Sequence, residues 1–115
     1  MERFIYVAHK IANVVRHTNI SVFNPADFEH KQLTETINNI ESHCFGMLTR
    51  YIIVKDPETT LNWHAVRSEL YNQVYNELSR ARVALYHNGT SKSVDFIDGL
   101  RSVIEGITDS ALKDS

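Results

Sequence analysis

The sequence is poor in the residues that interrupt or staple a chain. It has one cysteine, Cys44, so no internal disulfide framework can form. It has two prolines and four glycines in 115 residues, too few for a loop-rich or low-complexity chain. No apolar run approaches the ~18 residues needed to span a bilayer, which predicts no membrane span. Nor does the start of the chain, Met1 to Tyr6, carry the basic and apolar pattern of a signal peptide. A cytoplasmic location is therefore expected, and a single free thiol fits it. Basic excess is missing too. The formal net charge is −2 and the pI is about 6.3, so no long-range pull on nucleic acid is expected.

What remains is an ordinary globular composition, 43% hydrophobic and 23% charged, long enough for one domain with its own core. Apolar residues recur with the 3.6-residue period of amphipathic helices. The spacing predicts four of them, over 2–17, 25–53, 57–87 and 93–108, followed by a frayed tail. Phe4, Ala8, Ile11, Ala12 and Val15 share one face of the first helix, and Val22 and Phe23 plug the link that follows. Asn24-Pro25 and Asp56-Pro57 both read as a cap followed by proline at the first helical position. Leu33, Ile37, Ile40, Cys44, Leu48 and Tyr51 form the second stripe. Tyr51-Ile52-Ile53-Val54 is β-branched but has no partner strand, so a helix end is expected. The third stripe runs from Trp63 and Val66 through Leu70, Val74, Leu78 and Ala81 to Leu85, and Asn88-Gly89 stops it. Phe96, Ile97, Leu100, Val103, Ile104 and Ile107 make the fourth, with Gly99 and Gly106 beside it for close helix contact. An all-α, single-domain, up-down four-helix bundle follows.

Most site chemistry fails on spacing. Six histidines invite a metal, but no Glu-x-x-His, His-x-x-x-His or Cys-x-x-Cys occurs, so neither a metal nor a cofactor is expected. Glu69 and Glu77 face no second acidic pair, and no glycine-rich phosphate loop exists. Cys44 sits on an apolar stripe, where cysteine acts as a small hydrophobe.

Two readings of the third helix survive. One is a contact surface. His64, Tyr71, Tyr75, Arg82 and Tyr86 line a second stripe about 100° from the core stripe. Tyrosine and arginine bring large area with a polar handle, and both are enriched at binding hot spots. This predicts a non-enzymatic protein that acts through a protein partner or its own copies, plausibly as a homodimer, in a regulatory, immunity or anti-defence role. The other reading rests on the segment from Arg80 to His87, in which an arginine is followed by histidine at the end of a helix. Arg82 has four residues between it and His87, and Arg80 has six. This resembles the HEPN family of small helical domains, many of them metal-independent ribonucleases. The resemblance implies RNA as substrate or ligand. Arg82 or Arg80 would stabilise phosphate charge, and His87 would serve as general acid or base. On a continuous helix Arg80 is nearly aligned with His87, whereas Arg82 lies about 140° away.

Overall fold

The computed structural model describes residues 2–53 and 63–113, with side chains at 6–49 and 68–110. Four helices follow in chain order: α1 (Glu2–Arg16), α2 (Phe28–Ile53), α3 (Trp63–Asn88) and α4 (Ser91–Lys113). No strand occurs among the described residues, and Tyr51 to Ile53 close α2 as helix. Each helix packs on its chain neighbours, and α4 closes the ring against α1. A 26-residue helix is roughly 39 Å long, which matches a body of 50 × 27 × 22 Å. The protein is an all-α four-helix bundle.

The core is the sum of four stripes. Ile11, Leu33, Ile40, Leu70, Leu78, Leu85, Ile97 and Ile104 are almost fully buried. Burying each such side chain stabilises the fold by about 1.5–3 kcal/mol before entropy is counted. Cys44 is fully buried among them, and burial, with the charge of Glu41, pushes its thiol up to about 12. Thr36 is buried too, but its hydroxyl donates to the Gln32 carbonyl four residues back, at 2.8 Å. Phe4, Tyr51, Trp63 and Val66 lie outside the described side chains, as does the Asp56-Pro57 start outside the described residues.

Several sequence expectations need correction. Helix α2 begins at Phe28, not Pro25. Asp27 N–H donates to the Asn24 carbonyl at 2.8 Å, which closes a separate turn around Pro25. The first helical bond then runs from Lys31 N–H to the Asp27 carbonyl, at 3.3 Å. Helix α4 starts two residues early, at Ser91, and continues through the expected tail to Lys113. Val22 points outward at 57% exposure while Phe23 packs edge-on against Phe96, 5.6 Å between ring centroids. Val103 is 50% exposed because it falls about 100° before Ile104, off the stripe. Gly99 and Gly106 face open space, so no helix closes on them among the described residues.

Gly89 ends α3 by a different mechanism from the one expected. No described glycine has a positive φ, so left-handed backbone is not what selects it. A Cβ there would lie 2.7 Å from Ser93 Oγ and 2.9 Å from the Leu85 carbonyl oxygen. The position is glycine because α3 and α4 meet through a two-residue link that leaves no room for a side chain.

Candidate functional site on the third helix

Helix α3 turns Leu70, Val74, Leu78, Ala81 and Leu85 to the core. That leaves two flanks, one along α2 and one along α4.

The α4 flank carries the tyrosine and arginine stripe. Tyr71 and Tyr75 are half-buried, edge to face, 6.4 Å apart. The Tyr75 hydroxyl lies 3.4 Å from Thr108 Oγ1, and the Arg101 guanidinium sits 5.2 Å from the centre of the Tyr75 ring. Tyr75 is thereby tied to α4. Arg82 is tied as well: its Nε donates to Asp98 Oδ1 at 2.8 Å and its Nη2 to Oδ2 at 3.4 Å. Those hydrogen bonds and the Asp98 charge raise the guanidinium pKa further. Tyr86 differs from both. It is 69% exposed, touches the His87 ring edge-on at 5.4 Å, and stands near Val83, itself 59% exposed. The side chain of His64 lies outside the described residues.

Beside Tyr86 the end of the α3–α4 groove opens into a cavity of about 250 Å³. Arg82, Tyr86, Gly89, Thr90, Ser91, Val94 and Asp95 line it. Glu29 of α2 holds Thr90, one of the lining residues, by accepting from its N–H at 3.2 Å and from its Oγ1 at 2.8 Å. The hydroxyls of Ser93 and Thr90 beside it hold the Glu29 carboxyl below the usual carboxylate range. The one proton of Ser93 Oγ serves either Glu29 or the Thr90 carbonyl, which lies 2.8 Å away.

The α2 flank carries a polar cluster that spacing arguments passed over. Glu77, with a side chain 12% exposed, accepts from Asn39 Nδ2 at 3.2 Å and meets His43 Nε2 at 3.5 Å. Arg80 approaches the same carboxylate at 3.8 Å, with its own side chain 75% exposed. Glu77 sits about 100° before Leu78 on the wheel, at the rim of the apolar stripe. That rim position was the available signal for a cross-helix contact.

The two arginines of the Arg/His segment therefore leave α3 on different sides, Arg80 toward Glu77 and Arg82 toward Asp98. Neither shares a hydrogen-bond or ion-pair partner with His87 among the described residues; His87 is exposed in the last turn. Among those residues no group of three or more His, Cys, Asp or Glu could hold a metal ion. No described helix is long and apolar enough to cross a membrane. No protein-family model matches the chain, and no curated protein or solved structure matches it significantly.

Proposed function

We propose that this chain is a small regulatory protein of the cytosol that acts through protein contacts made on the α4 flank of α3, with self-association as the simplest form. One observation carries the reading: the Tyr86 ring, 69% exposed, at the lip of a cavity and near an exposed Val83. An exposed aromatic one turn from an arginine held by Asp98 offers an anchor, and aromatic and arginine side chains supply much of the binding energy at interfaces. Tyr75 plays the supporting part through its contacts to α4, with Tyr71 packed edge-on against it.

Sedimentation equilibrium tests the proposal, with wild type beside Tyr86→Ala and Val83→Ser. Association weakened about tenfold in each variant, with the fold intact by circular dichroism, is the expected outcome. A monomer at every concentration would remove self-association.

A second reading, a HEPN-like ribonuclease or RNA-binding domain, is favoured by the exposure of both Arg80 and His87 on one end of α3. Incubation with single-stranded RNA without metal separates the two. Cleavage that disappears in His87→Ala would put the ribonuclease reading in first place, and no binding or cleavage would discard it.

A further inference from the structure

The cavity beside Tyr86 holds one charge that nothing matches. Of the carboxylates around it, Asp98 is forked onto Arg82, and Glu29 is bonded to Thr90. Lys92 lies over the Phe23 ring, 5.6 Å from its centre, and does not line the cavity. Asp95 is exposed, lines the cavity, and has no hydrogen-bond or ion-pair partner among the described residues. Tyr86 and Val94 line the same cavity and add an aromatic and an aliphatic wall. A carboxylate, an aromatic face and an aliphatic wall together complement a cation on an apolar stem. The Arg82 guanidinium opposes a cation least where it is, because both Asp98 oxygens already neutralise it. An incoming anion would instead meet the Asp95 carboxylate. The volume, about 250 Å³, falls below the roughly 300–1,000 Å³ of pockets for drug-sized ligands. It suits one side chain.

We propose that this cavity receives an arginine side chain from a partner protein, which rests on the protein-contact reading above and names the chemistry of its anchor. The guanidinium forks onto the Asp95 carboxylate and lays its plane on Tyr86, while its methylenes run along Val94. Arginine is preferred to lysine because only the planar group can make the fork and the stack together.

Titrating isotope-labelled protein with an acetylated, amidated Leu-Ala-Arg-Ala-Leu peptide tests this by amide chemical shifts. Saturable shifts at Tyr86, Val94 and Asp95 are expected. The citrulline counterpart, isosteric and neutral, should bind about tenfold more weakly. Asp95→Asn and Tyr86→Ala should each lose several-fold, and Asp109→Asn, a carboxylate outside the cavity, should lose nothing. Equal binding of the two peptides, or unchanged affinity in Asp95→Asn, would overturn the proposal. In that case shifts retained at Val83 and Tyr86 leave the contact face standing and remove only the arginine. The absence of any shift at millimolar peptide also overturns it.

Discussion

On its α2 side, helix α3 places a carboxylate, Glu77, at the rim of the core and surrounds it with Asn39, His43 and Arg80. On its α4 side it places Tyr75 and Arg82 in comparable cross-helix contacts, but then leaves Tyr86 in water beside a cavity. Both flanks use polar side chains to tie α3 to a neighbour. The network around Glu77 ties two helices together and leaves the Arg80 side chain mostly in water. The open flank has a rigid floor and an unmatched aromatic and carboxylate, which is what a recognition surface requires.

Breaking the stripe that both flanks share should have the largest effect. Leu78→Ala removes a side chain 1% exposed and should cost about 2–5 kcal/mol in chemical denaturation, with both flanks lost together. Gly89→Ala comes next. Its Cβ would meet the Leu85 carbonyl oxygen at 2.9 Å, and backbone cannot move aside as a side-chain tip can. A loss of about 1–3 kcal/mol is expected, concentrated at the α3–α4 link and visible as faster amide exchange at Thr90 and Ser93. If Gly89→Ala is instead neutral, the tight link does not set the α4 flank.

The four helices and most of their inner stripes were legible because burial imposes the 3.6-residue period directly on residue type. The flanks were legible only as lists of residues. Arg82 and Asp98 are sixteen apart in the chain, and their pairing depends on the register that the Gly89-Thr90 link imposes between α3 and α4. No single-helix wheel contains that register. The same limit hid the contact of Glu77 with Asn39 and His43. The helical wheel set Arg80 near His87 and Arg82 well away from it, but did not show that Arg80 meets Glu77 and Arg82 meets Asp98. The start of α2 failed for another reason. Asn24-Pro25 suits a turn as well as a cap, and only the bond from Lys31 to Asp27 decides between them.

Within the α2 flank, Glu77→Ala should cost about 1–2 kcal/mol, because Asn39 and His43 lose a partner while partly buried. Arg82 and Tyr86 should keep their chemical shifts if the flanks are independent, and movement there would show them coupled. A smaller effect belongs to Glu29, which braces the α4 flank from α2. Its carboxyl pKa is depressed in the fold, so its stabilisation is complete above the ordinary carboxylate range. That stabilisation is lost as pH falls through the folded value. Wild type should therefore be slightly more stable than Glu29→Gln at neutral pH. Thermal melts should show the gap closing on acidification, and a gap that widens instead would contradict the bracing role.

The smallest effect on stability should come from the residue with the largest proposed role in contact. Tyr86 is mostly in water and supports neither Leu85 nor Arg82 through a hydrogen bond, so Tyr86→Ala should shift stability by no more than about 0.5 kcal/mol. Tyr75→Ala on the same flank should cost more, because it strips the ring that Arg101 covers and the hydroxyl beside Thr108. The pair of melts therefore separates the two parts of the open flank. If Tyr86→Ala unfolds the protein as readily as Tyr75→Ala, Tyr86 belongs to the scaffold, and the contact surface must be sought elsewhere. If its melt is unchanged while association or peptide binding falls, the residue contributes to recognition and to nothing else in the fold.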